Sequence, residues 1–91
     1  MKETINPKKQ AKFGNEKISS LILINDNYNS FDYVIDCLTA LCDHDIIQAE
    51  QCALITHNNG RCKIMSSTKS ELDPIREDLV LYGLNVDIIS N

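Results

Sequence analysis

Two places in the chain carry side chains able to hold a charged group through hydrogen bonds. One is the tripeptide Asn25-Asp26-Asn27, which lies between Ile24 and Tyr28 after an apolar run. Its amide and carboxylate oxygens can accept hydrogen bonds from an ammonium. The same three residues are also ordinary turn chemistry, because Asn and Asp side chains bond nearby backbone amides. The other is His57, which follows Ala53-Leu54-Ile55-Thr56. A neutral imidazole nitrogen there can accept from an amine, although a helix-terminal histidine favoured by the dipole is the simpler account of that residue alone.

Cys37, Cys42, Cys52 and Cys62, with His44 and His57, raise the question of zinc. The spacings of five, ten and ten residues form no CxxC pair, whereas structural zinc sites draw paired ligands from short knuckles. Buried free thiols are the better account, and no metal or cofactor is expected. A thiol nucleophile would need an exposed thiolate, yet Cys37, Cys42 and Cys52 fall on or beside apolar helix faces. Phe31, Val34, Ala53 and Thr56 can line an apolar pocket opening toward Asn25. Plain helix–helix packing explains the same spacing.

These residues need a framework to bring them together. Ile18 to Ile24 is an apolar run rich in β-branched Ile, interrupted by Ser19 and Ser20, that ends at the Asn-Asp-Asn loop, a first strand. Phe31, Val34, Ile35, Leu38, Leu41 and Cys42 recur at helical spacing, with Asn29 or Ser30 as the cap. Asp45 and Gln48 resemble a capping box for a second helix, with Ile46, Ala49, Cys52, Ala53 and Ile55 as its apolar positions and its end near His57. Asn58-Asn59-Gly60 turns the chain into a strand, Arg61 to Met65, with Cys62 and Ile64 inward. Thr68 to Glu71 caps a third helix bearing Leu72, Ile75, Leu79 and Tyr82, whose start Pro74 can shift and which Gly83 ends. Leu84, Val86 and Ile88 alternate as a last strand. The order strand-helix-helix-strand-helix-strand predicts a small α+β domain, a three-stranded antiparallel sheet covered on one face by three helices.

Ninety-one residues make one domain with a shallow cleft, not a large internal cavity. Residues 1–17 carry five Lys and two acids, a net of +3, and read as a flexible tail; residues 18–91 form the core, with four Lys/Arg against eleven acids, a net of −7. An acidic body disfavours phosphate backbones, so nucleic acid is not an expected partner. The apolar runs are too short to span a bilayer, and the first residues lack a secretory h-region. A soluble protein of the reducing cytoplasm is expected.

Taken together, Asn25-Asp26-Asn27-Tyr28, then Phe31-Asp32-Tyr33-Val34-Ile35, then Ala49 through Arg61 resemble the ClpS family of Clp protease adaptors. That family has an N-D-D-Y loop, an E-F-V-type helix and an A-T-x-x-M-x-x-V-H-x-x-G-K segment in the same order. The resemblance covers roughly residues 18–91. It implies a fold shared with the C-terminal domain of the ribosomal stalk protein, and an adaptor, not an enzyme. Such an adaptor binds a protein's free α-amino group and its first side chain, Leu, Phe, Tyr or Trp, and delivers that N-degron-bearing cargo to a Clp ATPase–protease. By position, Asn25, Asp26, Asn27 and His57 would bind the α-amino group, and Phe31, Val34, Ala53 and Thr56 would form the hydrophobic pocket. Glu71 and Arg76 are candidates for the interface with the N-terminal domain of a ClpA- or ClpC-type ATPase, if one residue is inserted before them. The resemblance also implies a monomer and gives the tail a role in handover.

The chain departs from the commonest pattern at several points. Asn27 replaces the second acid, Asn29-Ser30 replaces Thr-Pro, Phe31 replaces the gate methionine, and Ala53 falls where many relatives have methionine. A larger Phe31 facing a smaller Ala53 would conserve pocket volume. Three other readings compete: a Clp ATPase regulator without N-terminal recognition, a stalk-like interaction domain, and a small hydrolase built on His57, which has no orienting third group.

Overall fold

A computed structural model describes residues 16–91. The expectation of a flexible tail over 1–17 falls almost wholly on residues 1–15, outside the described residues. The elements are β1 (Ile18–Ile24), α1 (Phe31–Leu41), α2 (Ile46–Asn59), β2 (Arg61–Thr68), α3 (Lys69–Leu81) and β3 (Val86–Ser90). The sheet order is β2-β1-β3, and both pairings are antiparallel, as expected from the sequence.

β1 is central because it is the most apolar strand. Leu21 and Leu23 point into the core, facing Ile88 and Val86 across the β3 pairing. Leu21 of β1, Leu38 of α1 and Leu72 and Leu79 of α3 are completely buried, so sheet and helices share one core. Each such side chain contributes about 1.5–3 kcal/mol through burial.

β2 runs three residues past its expected end at Met65. Ser66, Ser67 and Thr68 are ladder partners of Ser20, Ser19 and Ile18, a pairing supplied by the neighbouring strand and not by any apolar alternation of their own. The register also slips: Leu21 pairs with Met65 but Ile22 pairs with Lys63, leaving Ile64 as an extra residue. His44, buried in the α1–α2 turn, donates from Nε2 to the Ile64 carbonyl at 3.1 Å, tying that turn to the bulge.

The helix starts follow their caps. Ser30 Oγ accepts from the Tyr33 amide at 3.0 Å, Asp45 Oδ1 from the Gln48 amide at 2.7 Å, and Thr68 Oγ1 from the Glu71 amide at 3.4 Å. α2 differs from expectation on two counts. It continues to Asn59, because Gly60, at φ 93°, supplies the left-handed residue that stops it. It also buries Ala49, Cys52, Ala53 and Thr56, a stripe of small side chains, and leaves Ile46 and Ile55 55% and 39% exposed. Pro74 does not delay α3, which starts at Lys69 and carries the proline in its interior. Packing of Leu72 and Leu79 outweighs the hydrogen bond that Pro74 cannot make.

Candidate functional site

The β1–α1 loop hangs between the ends of two helices. At its start the Asn25 amide donates to the carbonyl of Gly60, the residue that ends α2, at 2.9 Å. At its far side Asn29 Nδ2 donates to the carbonyl of Gly83, just after α3, at 2.9 Å. α3 closes in a Schellman arrangement, with the Leu84 amide bonded to the Leu79 carbonyl at 3.0 Å and the Gly83 amide to Val80 at 2.9 Å. Gly83 takes φ 90°, which an L side chain rarely adopts.

Within the loop Asp26 is the organiser. Its Oδ1 accepts from the amides of Tyr28 at 2.9 Å and Asn29 at 3.0 Å, and its Oδ2 accepts from Asn29 Nδ2 at 2.9 Å. Partial burial pushes the Asp26 carboxyl up, but the bonds from the Asn29 amide, the Tyr28 amide and the Asn29 side chain outweigh it, so its pKa lies below the usual 3.8. The turn chemistry read from Asn-Asp-Asn is therefore present, centred on the middle residue.

The loop borders a cavity of about 540 Å³ between α1 and α2. Asn25, Asp26, Asn27 and His57 line it beside Phe31, Val34, Ala53 and Thr56, so eight residues singled out in the sequence meet at one place. Ala53 and Thr56 are buried on α2, Val34 is half-buried on α1, and Phe31 at the first position of α1 is 44% exposed. Asn25, Asn27 and His57 are exposed at the polar side. Thr56 Oγ1 donates to the Cys52 carbonyl at 2.8 Å, so its hydroxyl proton is already used within α2.

Leu23, Ile24, Asn29, Leu54 and Leu84 also line the cavity. Leu84 had a readable signal, since the residue two after a helix cap packs back in a Schellman motif. Asn29 had none, because its partner Gly83 is 54 residues away. Glu71 and Arg76 do not line the cavity: both are exposed on α3, and Glu71 accepts from Ser67 Oγ.

The thiols stand apart from the polar rim. Burial pushes Cys42 up to about 11 and Cys52 up to about 12, and Cys37 upward as well. Among the described residues no group of His, Cys, Asp and Glu is placed to hold a metal ion, and no helix is long and apolar enough to cross a membrane.

Fold and site together give a small α+β domain that carries an apolar cavity with a polar rim. The chain belongs to the ClpS family, the ATP-dependent Clp protease adaptor proteins, whose model matches residues 15–84. It is a family of adaptors and not of enzymes. Among solved structures, the chain is similar to Agrobacterium tumefaciens ClpS2 bound to L-phenylalaninamide, with a TM-score of 0.78 and 17% identity over 85% of this chain and 100% of that one. At that identity the likeness establishes the fold.

Proposed function

We propose that this adaptor captures polypeptides that begin with Leu, Phe, Tyr or Trp and delivers them to a Clp ATPase–protease in the cytoplasm. The observation that carries the reading is the joining of Asn25, Asn27 and His57 to Phe31, Val34 and Ala53 in one cavity. The polar rim suits an ammonium and the interior suits one large apolar side chain. The ClpS2 neighbour is bound to L-phenylalaninamide, a molecule with both features.

Each charge-assisted hydrogen bond to the α-amino group contributes about 1.5–3 kcal/mol. Burial of the first side chain contributes about 1.5–3 kcal/mol more. Both are needed to offset the cost of association. An internal peptide amide lacks the charge and the extra donors, and would leave the rim desolvated and unpaired. The negative end of the α2 dipole, at Thr56 and His57, adds to the preference for a cation. Asp26, whose oxygens serve the loop, shapes the rim, while Asn25, Asn27 and His57 face the ammonium. Glu71 and Arg76 are the proposed contacts to the ATPase N-terminal domain, and the adaptor acts as a monomer.

Asn27 in place of an acid favours one second reading, a Clp ATPase regulator that does not select by first residue. The two separate in a reconstituted Clp ATPase–peptidase reaction with reporters that differ only in their first residue. The adaptor reading predicts that the protein accelerates loss of a Leu-first reporter and not of a Met-first one. Equal effects on both would sink it in favour of the regulator.

A further inference from the structure

We infer that Asn29 and Tyr33 act as a clamp that positions the ammonium-reading loop on the end of α3, an inference that rests on the proposed reading of the cavity. Asn29 Nδ2 donates to the Gly83 carbonyl and to Asp26 Oδ2, both at 2.9 Å. Tyr33 Oη donates to the carbonyl of Tyr82, the neighbouring residue of the same turn. Two side chains from the loop and first turn of α1 thus take two consecutive carbonyls at the α3–β3 turn.

Chemistry fixes the orientation of the Asn29 amide. Its partners are a carbonyl and a carboxylate, both acceptors, so the NH₂ group must face them; one amide nitrogen has two N–H bonds, one for each. The Tyr82 carbonyl belongs to the residue that caps α3, where helical carbonyls lack intrahelical partners, and the Gly83 carbonyl is the next along the chain. The donors therefore satisfy a helix end and hold the loop with the same bonds.

The consequence reaches the rim through Asp26. Its Oδ1 holds the amides of Tyr28 and Asn29, and its Oδ2 is held by the Asn29 side chain. Asn27 lies between Asp26 and Tyr28, so its backbone is spanned by this bracket. With Asn25 fixed to Gly60 at the other end, the loop has an anchor on each side. Tyr33 lies outside the cavity lining, and Asn29, which borders the cavity, spends both of its N–H bonds on Asp26 and Gly83, so the pair govern where Asn27 sits.

The test uses the full chain with Asn29→Ala, Asn29→Asp and Tyr33→Phe. Loss of the Asn29 anchor weakens free-amine peptides by roughly 10-fold, and loss of the single Tyr33 hydroxyl by roughly 3- to 5-fold. The weakening is the same for Leu-first, Phe-first and Gly-first peptides, because the apolar interior is untouched. Asn29→Asp keeps the shape but sets a carboxylate against a carboxylate and a carbonyl, so it weakens binding at least as much as Asn29→Ala. A residue that merely fills space would tolerate that exchange.

A second readout does not need a peptide. The Tyr28 and Asn29 amide proton shifts, followed by NMR against pH, report Asp26; in Asn29→Ala their midpoint rises toward the ordinary carboxyl value, because one bond to the charged form is gone. If wild type fails to prefer a free amine over an acetylated one, the adaptor reading falls and the NMR midpoint alone decides the clamp. If wild type does prefer it, yet the Asn29 variants keep full affinity and an unchanged midpoint, the clamp is overturned and the adaptor reading stands.

Discussion

Phe31 is the residue at which the cavity account can be given a number. It stands at the first position of α1 on the cavity wall, 44% exposed, so close to half of its surface is available for a ligand to cover. For a phenylalanine surface of roughly 200 Å² that fraction is about 90 Å². At about 25 cal/mol per Å², covering all of it contributes about 2 kcal/mol, or roughly 30-fold in Kd. Covering half gives about 1 kcal/mol, roughly 5-fold. Phe31→Ala should therefore weaken peptides that begin with Leu or Phe by between roughly 5- and 30-fold. Gly-first peptides, which have no side chain to lay against the ring, should bind both proteins alike. Tyr28→Ala serves as the control, because Tyr28 is 96% exposed and does not line the cavity. The assay is fluorescence anisotropy of labelled peptides, with urea unfolding of each variant to exclude loss of folded protein. Equal weakening of Gly-first and Leu-first peptides, or no weakening at all, would refute the placement of the first side chain against Phe31.

Three further outcomes follow from the structure. Gly83→Ala should cost about 1–2 kcal/mol of stability, read as a lower urea midpoint, because its φ of 90° strains any L residue although no atom beyond its chain neighbours lies within 4 Å of the added Cβ; an unchanged midpoint would show that the turn relaxes freely. The depressed Asp26 pKa stabilises the folded state above the ordinary carboxyl value of 3.8, and that contribution disappears as pH falls through the lower folded value. Wild type should thus lose more stability than Asp26→Asn on acidification below pH 3.8, and parallel losses would contradict the loop bonds. With thiols pushed up to about 11 and about 12, Cys42 and Cys52 should stay unlabelled by a thiol reagent at pH 8 until the protein unfolds; rapid labelling of either in the folded protein would show that the core opens.

The fold was legible where local chemistry and burial agree. Ile18–Ile24 reads as a strand and proves to be the central one, and Asp45 and Thr68 cap the helices that follow them. Legibility failed where a distant partner decides. Ser66, Ser67 and Thr68 have no strand pattern of their own and extend β2 because β1 lies beside them. Ile46 and Ile55 look like core residues, yet the small stripe of α2 faces inward and leaves them at its flanks. The cavity residues were legible through the family resemblance. Periodicity alone could not separate a pocket wall from ordinary helix packing at Phe31, Val34, Ala53 and Thr56. Asn29 and Leu84 were missed for different reasons: the first depends on a carbonyl far along the chain, and the second was taken only as part of a strand.

The most direct test of the central claim compares a Leu-first peptide with its N-acetylated twin by anisotropy on the purified protein. Acetylation removes the charge and two of the three N–H donors that Asn25, Asn27 and His57 are proposed to bind, and leaves the side chain intact. Loss of about 3 kcal/mol of charge-assisted bonding predicts that the acetylated peptide binds roughly 100-fold or more weakly. Equal affinity for the two peptides would contradict recognition of a free N-terminus by this cavity.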